Sequence, residues 1–167
     1  MNITFFRSDH FLLSLLVLGS MLLNAWLTAA AGFNLHYDEA QYWEWSQQLD
    51  WSYYSKGPLV AWLIALSTGL FGHGEWQVRL FGWLAHGVFL VLVFFFARDV
   101  WGSRAAAWWA ALLTATTPLF FTIGLVMTTD NYLFGFWTWA LWAMYRALFM
   151  ARPGAWMEVG LPWAWVP

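Results

Sequence analysis

The chain has no cysteine, so disulfides and thiolate metal sites are excluded, and the redox compartment is not readable from it. Charge is nearly as scarce. Only 10% of the 167 residues are Asp, Glu, Lys or Arg, where a soluble domain carries about one quarter. So few charges cannot solvate a globule of this size, and lipid must cover much of its surface. Basic patches are also missing. The net charge is -2, which argues against a nucleic-acid partner. No internal repeat and no low-complexity segment is present. What the chain does have is apolar mass: 62% hydrophobic residues, with 16 Trp, 15 Phe and 6 Tyr. Aromatic residues in such numbers are typical of anchoring at the two membrane interfaces.

A membrane-spanning helix needs about 20 mostly apolar residues. Four runs meet that need: 11–31, 78–97, 105–127 with a kink expected at Pro118, and 132–150. The first run has a rival reading as a cleaved signal, because Ala29-Ala30-Ala31 resembles a small-residue cleavage site. Its length and the weak leading charge, Arg7 offset by Asp9, favour an anchor. Residues 32–77 form a polar, aromatic loop that contains one short apolar run, Leu59 to Gly72. Runs of that length are more often interfacial than spanning. The arginines support this. With an interfacial run and a cytoplasmic N-terminus, Arg7, Arg98, Arg104, Arg146 and Arg152 fall inside, against Lys56 and Arg79 outside. If the short run spans, the balance is four against three, a poorer fit to the positive-inside rule. The expectation is an all-α integral membrane protein with about four spans, an interfacial helix in the first outer loop, and its chemistry on the non-cytoplasmic side.

Asp38 and Glu39 are adjacent carboxylates just past a membrane helix. Helical neighbours point about 100° apart, so only one of them can face a given site. A carboxylate in a partly dry cleft can serve as a general base. The competing reading makes Asp38 an N-cap with Gln41 as its capping-box partner. Lys56, before Gly57-Pro58, is placed to meet a phosphate as a point charge, or merely snorkels to lipid head groups. Arg79 opens a span from the side where positive charge is disfavoured. It calls for an anionic ligand, or for Glu75 four residues earlier. Asp130 sits at membrane depth, where acids tend to be functional, or else caps the helix from Asn131. Tyr42, Trp43, Trp45, Trp51, Tyr53 and Tyr54 could stack on sugar rings or anchor the loop. His36, His73 and His86 show no metal-ligand spacing, and neither a metal nor a nucleotide cofactor is expected.

The order of these pieces is more specific than any one of them. It runs from a first span through His36-Tyr37-Asp38-Glu39-Ala40-Gln41-Tyr42-Trp43 to Tyr53-Tyr54-Ser55-Lys56-Gly57-Pro58-Leu59, then a short apolar helix, then Trp76-Gln77-Val78-Arg79-Leu80. Over about residues 11–154 this resembles the N-terminal part of bacterial family 39 glycosyltransferases, relatives of the protein O-mannosyltransferases and the lipid A aminoarabinose transferases. The resemblance implies a partial GT-C fold in the inner membrane. It also implies transfer of a sugar from a polyprenyl-phosphate carrier to a lipid A or protein acceptor outside the cytoplasm. Asp38 takes the place of the catalytic carboxylate and Lys56 that of the lysine meeting the carrier phosphate. Asp130 falls where the family often has a second acid. Gly57 stands where the family commonly has the first proline of Lys-Pro-Pro. Glu39 joins the catalytic set, and Arg79 joins Lys56 in stabilising the departing phosphate. Two alternatives stay open: a small non-enzymatic membrane protein with a transport or accessory role, and a catalytically dead remnant. The tail 155–167 is atypical and too short to span, and its final residues, Trp163-Ala164-Trp165-Val166, fit no plausible element. A one-base shift after Gly154 would account for it, and a truncated chain, inactive alone, is expected.

Overall fold

A computed structural model describes residues 3–32, 34–54 and 56–163, with side chains except those of 3–8, 162 and 163. The segment Ala164 to Val166 of the tail, and the side chain of Arg7, lie outside the described residues. The described residues form eight helices and no strand: α1 (Ile3–Ala31), α2 (Tyr37–Ser46), α3 (Leu59–Phe71), α4 (Glu75–Trp101), α5 (Arg104–Thr116), α6 (Pro118–Leu125), α7 (Asp130–Phe149) and α8 (Ala155–Trp163).

Among the described residues, α1 from Asp9 and α4 are long and apolar enough to cross a membrane, and the α5–α6 pair is a third candidate if taken as one broken span. The 20-residue α7 is long enough but richer in Trp and Tyr, and α3 is a 13-residue apolar helix. This makes a membrane protein of all-helical class. Much of α1 turns large apolar side chains outward, among them Leu22 at 69% and Trp26 at 64% exposure. In water that face would be costly; in lipid it is the expected surface.

Helix boundaries follow local chemistry. Glu75 in the first turn of α4 and Arg98 in its last complement the helix dipole. Gly102 leaves α4 at φ 58°, a left-handed conformation that glycine adopts without strain. Ser103 then caps α5, its Oγ accepting from the Ala106 N–H at 3.3 Å. Pro118 pushes Thr117 to φ -65°, ψ 126° and takes the first position of α6, so the expected kink becomes a 60° break.

The central helix is α4, which packs against α1, α3, α5, α6 and α7. Ala107, Ala111 and Ala115 repeat every four residues on α5, are buried, and let it approach closely. At the loop end, Tyr42, Val60, Ile64, Val78 and Met127 form a core beneath α2 and α3. At the far end Leu13, Phe94, Ala107 and Ala111 form a second. Residues 155–163 are helical, pack on α7, and pair Glu158 with Arg146.

Candidate active site

The turn of chain before α2 decides which of the two adjacent acids faces inward. His36, not Asp38, is the N-cap, and Glu39 at the third helical position accepts from the His36 N–H at 2.9 Å. Asp38 therefore lies inside the first turn. Glu39, 0% exposed, takes four donors. Its Oε1 accepts from Arg79 Nε at 2.9 Å and from the Met127 N–H at 2.9 Å. Its Oε2 accepts from Arg79 Nη2 at 2.8 Å as well as from His36. These donors use up the carboxylate's acceptor capacity. Arg79 Nη2 also donates to the Asn34 carbonyl at 3.0 Å. Glu75, the partner expected from the i,i+4 spacing, lies 3.9 Å from Nη1 and is half exposed. The main partner is thus 40 residues away, and Glu39 and Arg79 form one buried unit.

Asp38 points the other way, about one third exposed, 3.8 Å from His36 Nδ1. One turn further along, Tyr42 is buried, and its hydroxyl hydrogen-bonds with the Thr129 side chain. Burial pushes the Tyr42 phenol up, and the charges of Asp38 and Asp130 push it further against the opposing Thr129 bond. Tyr42 thus stays protonated at neutral pH and sits electrostatically between the two acids.

Asp130 is the first residue of α7, with Thr129 before it as N-cap. No side chain caps the free N–H groups of the first turn; Asn131 reaches back instead, its Oδ1 accepting from the Thr128 N–H at 2.9 Å and from Thr128 Oγ1 at 2.8 Å. Asn131 Nδ2 faces the carbonyls of Ile123 (2.9 Å), Val126 (3.1 Å) and Gly82 (3.4 Å). Asn24 reaches from α1 to the Gly124 carbonyl at 3.1 Å. The stretch between α6 and α7 is irregular backbone inside the bundle, and Glu39, Asn131 and Asn24 satisfy its polar groups.

Lys56 closes a tight turn, its N–H on the Tyr53 carbonyl at 2.7 Å and its carbonyl accepting from the Tyr53 N–H at 3.1 Å. Tyr53 stacks on Trp45 with centroids 4.9 Å apart and donates to the Gln48 carbonyl at 2.9 Å. Trp51 and Tyr54 remain largely exposed. Lys56 and Gly57 then form one rim of a cavity of about 250 Å³, and Thr129 and Asp130 form the other. Leu133 and Phe136 lie among its apolar walls. Of the five residues singled out in the sequence, Lys56 and Asp130 line this cavity, and Asp38 lies outside its lining, one turn before Tyr42 on α2. Glu39 and Arg79 lie behind, bonded to each other. Sequence reasoning missed Asn131, which carries no signal beyond its place beside Asp130. It also took Tyr42 only as a stacking aromatic, although the Asp38–Tyr42 spacing of four was readable as one face. Among the described residues no group of three or more His, Asp or Glu could hold a metal ion.

Comparison with known proteins gives the family. The family described as dolichyl-phosphate-mannose-protein mannosyltransferase matches residues 55–166. The match includes Lys56, Arg79 and Asp130, begins after Asp38 and Glu39, and runs past residue 154. The lipid A galacturonosyltransferase of Rhizobium johnstonii is 33% identical over 119 residues, 68% of this chain and 25% of that protein. The undecaprenyl phosphate-alpha-4-amino-4-deoxy-L-arabinose arabinosyl transferase of Pseudomonas savastanoi pv. phaseolicola is 28% identical over 86% of this chain and 31% of its own length. A namesake, transferase 2 of Proteus mirabilis, is 27% identical over 71% of this chain and 22% of its own length. The chain spans between about a fifth and a third of the curated relatives it matches. No solved structure matches. The chain belongs to the dolichyl-phosphate-mannose-protein mannosyltransferase family, and the curated proteins similar to it are named as sugar transferases.

Proposed function

We propose that this protein transfers a sugar from a polyprenyl-phosphate carrier to a lipid A or protein acceptor on the non-cytoplasmic side of the inner membrane. The observation that carries the reading is the cavity between α3 and α7: cationic and acidic at its rim, apolar below. A phosphate on a lipid tail has that same division.

In this reading the acceptor hydroxyl gives its proton to Asp38 as its oxygen bonds to the anomeric carbon. The carbon–oxygen bond to the phosphate breaks on the opposite face, and the configuration inverts. Lys56 meets the charge that develops on the departing phosphate. Asp130, at the start of α7 and on the cavity wall, orients the sugar. Glu39 and Arg79 act as positioning residues, because their hydrogen-bonding groups are spent on each other and on the backbone beneath α2 and α7. The bundle crosses the membrane with α1, α4, the α5–α6 pair and α7 in a partial GT-C arrangement. Its N-terminus is cytoplasmic, and α3 lies in the interface.

The test is transfer from an undecaprenyl-phosphate sugar in membranes holding the protein. Asp38→Asn should remove transfer while insertion and folding persist, since an amide keeps the size but not the base. Lys56→Ala should raise the donor concentration needed for half-maximal rate. Full activity of Asp38→Asn would reduce Asp38 to a helix-end residue, and unchanged donor dependence would remove Lys56 from the site.

A further inference from the structure

The loop from Gln47 to Tyr53 takes no part in lining the donor cavity. With α2 it encloses a separate cavity of about 580 Å³, within the roughly 300–1,000 Å³ usual for small-molecule sites. The backbone around it is pinned. The Tyr53 hydroxyl accepts from the Asp50 N–H at 2.7 Å and donates to the Gln48 carbonyl at 2.9 Å, with its ring stacked on Trp45. Trp62 Nε1 donates to the Asp50 carbonyl at 3.1 Å. The polar side chains on the walls are, by contrast, unspent. Among the described residues, those of Gln41, Glu44 and Gln48 make no hydrogen bond. Gln47 commits its Nε2 to the Trp43 carbonyl and Ser46 Oγ and keeps its Oε1.

Chemistry narrows the ligand. An amide offers two N–H donors and a carbonyl acceptor, so Gln41 and Gln48 can meet neighbouring hydroxyls in either sense. Glu44 and Asp50 add acceptors for hydroxyl or ammonium hydrogens, and among the described residues no Lys, Arg or His lines the cavity. A phosphate or carboxylate there would meet uncompensated like charge. Trp51, next to Asp50, is 79% exposed and held T-shaped against Trp62 at 5.1 Å, an apolar plate fixed at the rim. Hydroxyls around its edge and a flat apolar face are what a sugar ring presents.

Asp38, Gln41 and Trp45 follow at helical spacings of three and four and share one face of α2. Asp38 is thus one turn from Gln41 on this cavity. It is also one turn from Tyr42, whose hydroxyl bonds Thr129 on the wall of the donor cavity. We infer that the cavity beside α2 binds a sugar of the acceptor, one that is uncharged or amine-bearing and carries no phosphate. This rests on the transfer reaction above, with Asp38 as its base, and narrows the acceptor to a saccharide. Gln41, Glu44 and Gln48 hold the sugar's hydroxyls, and Trp51 takes its apolar face.

The experiment uses the full chain in phosphatidylcholine nanodiscs and saturation-transfer NMR titration with three probes: a glucosamine disaccharide, its N-acetylated form, and its phosphomonoester. The first two should bind, and the phosphomonoester should bind about tenfold more weakly. Gln48→Ala and Gln41→Ala should each weaken the first two about fivefold, the loss of one ordinary hydrogen bond. Glu44→Gln removes a charge and keeps the size, and it should narrow the gap to the phosphomonoester about threefold. All three positions are exposed, so the fold should persist, and binding of undecaprenyl phosphate in the same discs should not change. If no disaccharide binds, or if the variants alter nothing, the sugar site is wrong, while the donor site is judged separately by undecaprenyl phosphate. Equal binding of the phosphomonoester would overturn the ligand class. Competition by an unglycosylated serine-rich peptide as effective as that by the disaccharide would assign the cavity to a protein acceptor and would also overturn the inference.

Discussion

Arg79 and Glu39 at the loop end are 4% and 0% exposed, whereas Arg104 at the far end is 44% exposed beside a buried Asp9. The loop-end pair is bidentate and shares its atoms with three stretches of backbone, at His36, Asn34 and Met127. The far-end contacts join side chains near the helix ends. Arg104 reaches Asp9 at 2.6 Å, and Trp108 and Trp142 donate their indole N–H groups to Asp9 and Asp99. Arg146 lies over the Trp142 ring at 4.3 Å while it pairs with Glu158. The difference separates two uses of charge in one bundle. Where both partners are buried, the pair dictates the course of the chain around the candidate site. Where one partner meets solvent, the pair ties helix ends that apolar packing has already brought together.

This contrast breaks most visibly at Glu39. Glu39→Ala leaves the Arg79 guanidinium buried without its carboxylate and removes the acceptor of two backbone N–H groups. A loss of about 3–5 kcal/mol is expected in denaturant unfolding followed by tryptophan fluorescence. A loss below about 1 kcal/mol would show that the pair does not organise the loop end. Asn131→Leu should cost less, about 1–3 kcal/mol, by leaving the Ile123 and Val126 carbonyls without a donor. Transfer should fall in the same variant, because Thr128 loses its tether next to Asp130; a stability loss with full activity would limit Asn131 to packing. The smallest effect belongs to Arg104→Ala. Its partly solvated pair should contribute about 1 kcal/mol or less, and raised salt should shrink the difference. A large loss that salt does not change would erase the distinction between the two ends.

Much of the fold was legible because it rests on local composition. The apolar runs at 11–31 and 78–97 fall within α1 and α4, and Pro118 marks the break between α5 and α6. The short run after Pro58 reads as a short helix because it lacks the length to be anything longer. The site was legible only in its residue types. Asp38 with Gln41 satisfies the usual capping pattern, yet the chain caps α2 with His36 and Glu39. Arg79 and Met127, far away in sequence, draw the Glu39 carboxylate inward, and no local rule contains them. In the same way Asp130 reads as a cap until Asn131 is seen to hold both sides of the turn. The helix at 155–163 was hidden because Pro162 and the Trp-rich composition look like breakage, while its partner Arg146 lies on another helix.

The break at Thr117–Pro118 has a bearing on how the chain is made. Helix α6 has only eight residues, and the carbonyls of Ile123, Gly124 and Val126 are satisfied by side chains of Asn24 and Asn131. Asn24 is synthesised long before this segment, and Asn131 just after it. At about 5–20 residues per second, completing the 20 residues of α7 takes roughly one to four seconds more. Until then the end of α6 has no partner for part of its backbone and no stable place in hydrocarbon. A released chain ending at residue 129 should expose a cysteine placed at Thr122 to a water-soluble thiol reagent, and one ending at residue 150 should protect it. The segment must therefore wait at the insertion machinery, and its entry into lipid is timed by the arrival of the helix that follows.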